Sequence, residues 1–262
     1  MTQKLIFFDI DGTLLDDEKR LPDSTKQAIA DLQAAGHYVA IATGRAPFAF
    51  KSLLTELGIS SYVSINGQYV VHNGEAIYKH PLQPDALAAL EKYAKERQHP
   101  LVHLNHDNWY ANVQHHPHIE AAVNSLKIDK QITYNPSFYQ QGEVYQTLLF
   151  CTEESETGYD QTFDQFHFVR WHDYSVDVMP AGGSKAAGIS QLIRELQIPA
   201  HDVYAFGDGL NDIEMLQSIE NSVAMGNAPD AVKQAASTVT KDVNDDGIWH
   251  GLKLVGLLKE TS

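Results

Sequence analysis

Short apolar runs alternate with segments of helical period at both ends of the chain. Leu5-Ile6-Phe7-Phe8 is too short for a helix and reads as a strand buried on both faces. Beyond Pro22, the residues Ala28, Ile29, Leu32 and Ala35 recur at helical spacing, and Gly36 supplies the stop. Tyr38-Val39-Ala40-Ile41-Ala42 is a second buried strand, after which Pro47 opens a predicted helix through Leu53, Leu54 and Leu57 that closes at Gly58. Strand, helix, strand, helix is the pattern of a parallel sheet with crossover helices. Val63-Ser64-Ile65 and Tyr69-Val70-Val71 then flank Asn66-Gly67, a hairpin-type turn.

The rhythm changes near Pro81 and Pro84. Leu87, Leu90 and Tyr93 mark a helix, Leu101 to Leu104 and Trp109 to Val113 a pair of strands, and Ile119, Ala122, Val123 and Leu126 a second helix. Val144 to Cys151 and Ser175 to Met179 read as further strands, which together make an α+β module of ordinary domain size. The earlier rhythm returns with a helical stripe at Ile189, Leu192, Ile193 and Leu196. A buried strand follows at Val203 to Phe206, then a short helix at Ile213 to Leu216 and a strand at Ser222 to Met225. The expected architecture is one α/β core, residues 1–81 and 183–262, interrupted by an inserted α+β domain, residues 82–182.

Composition narrows the partners. Lys and Arg number 19 against 34 for Asp and Glu, a net charge of −15, which repels nucleic-acid backbone and anionic lipid. Cys151 is the single cysteine, so no internal disulfide framework exists, and a reducing compartment fits. No apolar run approaches the ~20 residues that span a bilayer. The expectation is an acidic, soluble, cytoplasmic protein that engages neither nucleic acid nor membrane.

Four constellations carry chemistry. In Phe7-Phe8-Asp9-Ile10-Asp11-Gly12-Thr13-Leu14, two carboxylates stand at the carboxyl end of a buried strand, where open α/β sheets bind ligands. Asp9 and Asp11 can share one face of the extended chain, and their mutual repulsion favours a hard divalent cation such as Mg2+. A bare Asp-x-Asp-Gly-Thr also arises as an acidic turn without chemistry. Thr43-Gly44-Arg45 ends the second strand just before a helix, a combination of hydroxyl, bare backbone N–H and helix N-terminus that suits phosphate oxygens. In Gly182-Gly183-Ser184-Lys185-Ala186-Ala187, Ser184 reads as an N-cap. Lys185 then falls in the first helical turn, where a cation opposes the helix dipole unless an anion lies beside it. In Phe206-Gly207-Asp208-Gly209-Leu210-Asn211-Asp212, Asp208 stands at another strand end, with Asp212 four residues on. An acidic cluster against buried strands needs a metal or donors to compensate it.

Taken in order, Asp-Ile-Asp-Gly-Thr-Leu, Thr43-Gly44, Lys185 and Gly-Asp-Gly-Leu-Asn-Asp resemble the four motifs of the haloacid dehalogenase-like (HAD) superfamily. The insertion between the second and third motifs resembles the type IIB cap of its Cof-type phosphatase branch, and the resemblance covers nearly the whole chain. It implies a Rossmann-like parallel sheet with helices on both faces plus an α+β cap that sets specificity and closes over the core. It implies a phosphatase in which Asp9 is the nucleophile of an aspartyl-phosphate intermediate and Asp11 is the acid and then the base. It also implies Mg2+ held by the Asp9 carboxylate, the Asp11 backbone carbonyl and Asp208, with Asp212 just outside. Thr43, Gly44 and Lys185 would hold the phosphoryl oxygens, aided by the Ile10 N–H and the Asn211 side chain. Lys185 is followed by Ala where the branch often has Gly. The implied substrate is a small phosphorylated metabolite: a sugar phosphate, a flavin precursor phosphate, FMN or pyridoxal phosphate. Rival readings are phosphotransfer, as in the family's mutases, and a non-catalytic sensor of a phosphorylated metabolite; a dehalogenase would leave Asp11 without a task.

Other conspicuous residues carry less. Asp242 to Gly247 matches the first six positions of an EF-hand loop, but the twelfth is Lys253 where a Glu is needed. His115-His116-Pro117-His118 fits no standard ligand spacing, and Cys151 in Leu148-Leu149-Phe150-Cys151 reads as a buried inert thiol. Trp109, Trp171 and Trp249 read as packing residues, with one in the cap a candidate to stack on substrate. Arg45 divides evenly between touching substrate and solvating the helix start.

Overall fold

A computed structural model describes residues 2–128 and 130–259. The chain begins with β1 (Leu5–Phe8), α1 (Asp23–Ala34), β2 (Tyr38–Ala42), α2 (Lys51–Leu57), β3 (Tyr62–Ser64), β4 (Tyr69–His72) and β5 (Glu75–Lys79). Its middle holds α3 (Pro84–Glu96), β6 (Leu101–Leu104), β7 (Trp109–Ala111), α4 (Pro117–Ser125) and β8 (Thr133–Tyr134). These are followed by β9 (Gln146–Leu149), α5 (Tyr159–Thr162), β10 (Phe166–His172) and β11 (Ser175–Pro180). The last segment runs α6 (Lys185–Leu196), β12 (Val203–Gly207), α7 (Ile213–Ser218), β13 (Asn221–Ala224), α8 (Asp230–Ala235), β14 (Thr238–Val239) and α9 (Gly247–Leu254). Two compact units result: Met1–Gly44 with Ser52–Tyr78 and Ser184–Ser262, and Arg45–Lys51 with Lys79–Gly183. No helix among the described residues is long and apolar enough to cross a membrane.

The first unit is built on an eight-stranded sheet in the order β14-β13-β12-β1-β2-β3-β4-β5, parallel from β14 to β3 and turned antiparallel at β4. Its central strands are buried on both faces, which is why they read as unbroken apolar runs. Leu5 and Phe7 point into a core with Ile189 and Leu192 of α6 and Met215 and Leu216 of α7. Phe8 points the other way and stacks on Phe206 at 4.9 Å, and α9 comes so close to Phe206 that Gly251 has no room for a side chain. Helices therefore cover both faces, in a Rossmann-like α/β fold. The chain leaves β1 toward β2 on one side and returns through β12 toward β13 on the other. The carboxyl ends of β1 and β12 thus border the crevice where such sheets bind ligands.

The helix expected from Pro47 to Leu57 is broken. Pro47–Ala49 is a single 3-10 turn, and Phe50, with φ −134°, leaves helical geometry so that its ring is buried before α2 begins at Lys51. Burial of one aromatic ring outweighs the local periodicity. The expected Asn66-Gly67 turn does join β3 to an antiparallel β4, but Ile65, Asn66 and Gly67 all take positive φ. A β-branched residue at φ +51° is strained. Backbone bonds from Asn66 N to Thr43 O (3.1 Å) and from Thr43 N to Val63 O (2.9 Å) hold that turn against the end of β2.

The second unit carries a six-stranded sheet, β10-β11-β9-β6-β7-β8, antiparallel except for the pair β7 and β8. Leu87, Leu90 and Ala94 of α3 and Tyr159 of α5 pack with Leu101, Leu149, Val176 and Val178 on one face of it.

In the first unit, α6 starts hard against the β3–β4 turn. A Cβ on Gly188 would lie 2.6 Å from the Gly67 Cα, with backbone as the obstacle. Gly188→Ala is expected to destabilise the chain by about 1–3 kcal/mol through overpacking, a fall of several degrees in Tm by calorimetry. An unchanged Tm would show that α6 does not abut this turn.

Candidate active site

The site is assembled from strand ends. Asp9 N donates to Phe206 O (3.0 Å), which continues the β1–β12 ladder by one step and brings the Asp9 carboxyl beside the loop after β12. The chain then turns tightly: Leu15 N donates to Ile10 O (2.8 Å) and Gly12 N to Leu15 O (2.9 Å). Gly12 has φ +78°, and a Cβ there would fall 2.2 Å from Asp208 Oδ2, so that carboxylate sits where only glycine leaves room.

Asp208 is oriented from two sides. Thr13 Oγ1 donates to its Oδ1 (2.8 Å), and Asn227 Nδ2 donates to its Oδ2 (3.3 Å) and to Gly12 O (2.8 Å). Asn227 Oδ1 in turn accepts from Val243 N (3.0 Å), which ties the Asp242–Gly247 loop to the site as a prop rather than a calcium loop.

Lys185 is the first residue of α6, behind the N-cap Ser184, whose Oγ accepts from Ala187 N (3.2 Å). Its ammonium, 1% exposed, bridges Asp9 Oδ1 (2.5 Å) and Asp212 Oδ1 (2.6 Å). Those two carboxylates supply the anions that the helix dipole demands beside a first-turn cation. Asp212 Oδ2 accepts from the Asp208 and Gly209 backbone N–H groups at 3.0 and 2.9 Å. Both Asp212 oxygens are thus engaged by protein donors.

One oxygen each from Asp9, Asp208 and Asp212 lies within 4.8 Å of the others, the one such His/Cys/Asp/Glu grouping among the described residues. Three carboxylates around one ammonium leave two negative charges uncompensated. Burial pushes Asp9 up to about 8, reinforced by the charges of Asp212 and Asp208 and opposed by Lys185. Asp208 is raised to about 6 by burial, with Thr13 and Lys185 working against the rise and Asp212 and Asp11 adding to it. Burial also works against the charge of Lys185, but Asp212 and Asp9 outweigh it and raise its pKa.

Asp11 stands apart from this cluster. Its Oδ1 accepts from Lys19 Nζ at 2.5 Å, both side chains being about a third exposed, and Lys19 reaches it from a left-handed backbone conformation (φ +63°). Thr43 is buried at the end of β2, and a Cβ on Gly44 would lie 3.0 Å from Asn66 Oδ1. Asn211 Nδ2 donates to that same Asn66 oxygen (3.2 Å), so Gly44, Asn66 and Asn211 converge. Thr13, Lys19, Asn66 and Asn227 were not singled out for the site by their sequence context. Asn227 could have been, because it follows β13, the next strand end beside β12 in the same parallel sheet. Cys151 is buried in the second unit, and burial raises its pKa, as expected of an inert thiol.

Comparison with known proteins agrees with this geometry. Residues 6–252 match the family model of the haloacid dehalogenase-like hydrolases. YkrA of Bacillus subtilis (strain 168), provisionally assigned as a phosphatase, is 49% identical over 259 residues, covering 99% of this chain and all of YkrA. A crystal structure of a protein of unassigned function from Geobacillus kaustophilus HTA426 superposes with a TM-score of 0.94 at 51% identity, over 98% of this chain and all of that one. The structure of BT4131, described as a HAD subclass IIB sugar phosphatase, gives 0.86 at 31% identity over 98% of this chain and 100% of its own. With its strand-end carboxylates, its buried lysine and a family match over almost its full length, the chain belongs to the haloacid dehalogenase-like hydrolases.

Proposed function

We propose that the chain is a Mg2+-dependent phosphatase that hydrolyses a small phosphorylated metabolite through an aspartyl-phosphate on Asp9. The observation that carries this reading is the convergence of Asp9, Asp208 and Asp212 around the buried Lys185 ammonium. The residues suit a hard cation: the donors are carboxylate oxygens, and their uncompensated charge matches a dication. Mg2+ held by the Asp9 and Asp208 carboxylates and the Asp11 carbonyl would supply charge neutralisation for an approaching phosphoryl group.

Lys185 fixes the Asp9 carboxylate, which attacks phosphorus as the bond to the leaving oxygen breaks. The Thr43 hydroxyl, the Gly44 and Ile10 N–H groups, Lys185 and Asn211 stabilise the charge on the transferring oxygens. Asp11 releases Lys19, protonates the leaving oxygen, then takes a proton from the water that attacks phosphorus and frees Asp9. Asp212 and Asn227 touch no substrate in this scheme; they hold Lys185 and Asp208 in place. The second unit, as a cap, would exclude other water and select the leaving group.

Phosphate release from p-nitrophenyl phosphate tests the reading. Asp9→Asn is expected to lose about 10³-fold or more of kcat, and chelation of divalent ions to abolish activity until Mg2+ is restored. Full activity in Asp9→Asn, or activity indifferent to chelation, would refute it.

Asn227→Ala is expected to weaken Mg2+ binding, measured by calorimetry, about 10–100-fold by releasing one oxygen of Asp208. Unaltered affinity would show that Asn227 serves the fold alone.

The raised pKa values set a pH dependence. Without a cation, folded Asp9 and Asp208 titrate near 8 and 6 rather than at the 3.8 of a free carboxylate. Between those limits the folded chain holds more protons than the unfolded one, so their contribution to stability falls as pH rises. A bound cation reverses this, so the rise in Tm on adding Mg2+ is expected to be small near about pH 5 and larger near about pH 8. An increment that is equal at both, or greater in acid, would contradict the assignment of the cluster as a cation site.

A further inference from the structure

The stretch after β1 carries a lysine in a backbone conformation that favours glycine or asparagine. The chain turns back on itself beyond Asp11, with Gly12 N donating to Leu15 O (2.9 Å) and Asp11 bridged to Leu15. A second loop follows at once. Asp16 N donates to Arg20 O and Lys19 N to Asp16 O, both at 2.9 Å. The Asp16 carboxylate, itself buried, organises this loop. Its Oδ1 accepts from Glu18 N (2.9 Å) and Arg20 N (2.8 Å), and its Oδ2 from Arg20 Nε (3.0 Å). The Arg20 N–H, before the other donors, holds the Asp16 carboxyl below the usual carboxylate range, although burial opposes it.

Lys19 is the residue that this loop presents. It takes φ +63°, a region that long side chains enter at a cost unless their surroundings fix them there. Asp16, Asp17 and Glu18 precede it in the chain, yet its ammonium reaches past them to Asp11 Oδ1 at 2.5 Å. A buried carboxylate thus fixes a strained backbone, and the strained backbone delivers one cation to one oxygen of Asp11.

That oxygen has reason to be held. Lys185 binds Asp9 and Asp212, while Thr13 and Asn227 hold Asp208. Asp11 lies near enough to this group for its charge to add to the rise at Asp208 that burial begins, so the two carboxylates repel each other. All of these residues belong to the first unit.

We propose that Lys19 is a positioning residue for the second half of the reaction, holding the Asp11 carboxylate by Oδ1 while that carboxylate takes a proton from the water attacking the aspartyl-phosphate. This rests on the phosphatase reading and deepens it. Once Asp11 has given its proton to the leaving oxygen it is a carboxylate again, and the Lys19 ammonium engages it as in the resting chain. Water oxygen then bonds to phosphorus as the bond from phosphorus to the Asp9 oxygen breaks. One water proton goes to Asp11, the other stays on the phosphate, and the Asp9 carboxylate is restored. A leaving group that departs readily as an anion asks little of Asp11 in the first half, so with such a substrate the loss of Lys19 shows in the second.

The full chain in Mg2+, with p-nitrophenyl phosphate as substrate, is compared with Lys19→Met and Lys19→Arg. In Lys19→Met, kcat is expected to fall about tenfold or more and KM to fall in step, so that kcat/KM, which reports the first half, stays within about twofold. Acid quenching during turnover, read by intact mass, is expected to trap several times more phosphorylated chain in Lys19→Met than in the wild type. Lys19→Arg, which keeps the charge, is expected to retain more of kcat than Lys19→Met. Tm and the affinity for Mg2+ are expected to be unchanged, because the Lys19 side chain is a third exposed and serves Asp11. An unchanged kcat overturns the proposal, as does a fall in kcat/KM equal to that in kcat, or a loss of kcat without accumulation of phosphorylated chain. A fall in Mg2+ affinity that accounts for the lost rate overturns it too. If the wild-type chain releases no phosphate and neither it nor the variants trap any, the phosphatase reading fails and this inference with it; every other failure leaves that reading standing.

Discussion

The site depends on one ammonium held out of water between two carboxylates. Lys185 sits in the first turn of α6 where the helix dipole opposes it, and its desolvation is tolerated because Asp9 and Asp212 lie at 2.5 and 2.6 Å. Removing one partner from such a buried set typically costs about 3–5 kcal/mol, because a charge is left alone. That constraint propagates through the fold. It fixes where α6 must start, hence the close passage of Gly188 over Gly67, and hence the strained turn that holds Asn66 beside Thr43 and Gly44. It also fixes the Asp9 carboxyl, which otherwise only a strand end would position.

The same cluster could hold a cation. Lys185 balances one of three carboxylates, and the raised values of Asp9 and Asp208 express burial first and then the repulsion that remains. Thr13, Gly12 and Asn227 hold Asp208 in place against that repulsion. The charge that makes the metal-free pocket uncomfortable is the charge that would bind a dication. Asp11 has Lys19 as its own counter-ion, although its charge still adds to the rise at Asp208.

Much of this was legible in the sequence because buried parallel strands announce themselves as apolar runs and their functional residues stand at the run's end. Asp9, Thr43 and Asp208 follow β1, β2 and β12 directly, and the gap between two such runs is what suggests an inserted domain. Elements with mixed patterns were missed. β5 (Glu75–Lys79) and β10 (Phe166–His172) are edge strands whose side chains are largely half-buried or exposed, so neither carries an apolar run or a clean alternation. The break at Phe50 was invisible because its cause is tertiary burial of a ring. Asn66 and Asn227 were missed for a different reason. Each acts through a contact with a residue more than 100 positions away in the chain, and one asparagine after a strand looks like any turn.

The most direct test of the account is a calorimetric titration of the metal-free chain with Mg2+ in two buffers of different ionisation enthalpy at about pH 7. The account predicts a single saturable site per chain and release of about one proton per cation, from Asp9, with the release shrinking as the pH is raised above the Asp9 value. Absence of saturable binding, or binding that releases no proton at any pH, would contradict the claim that these carboxylates and Lys185 together form a cation site.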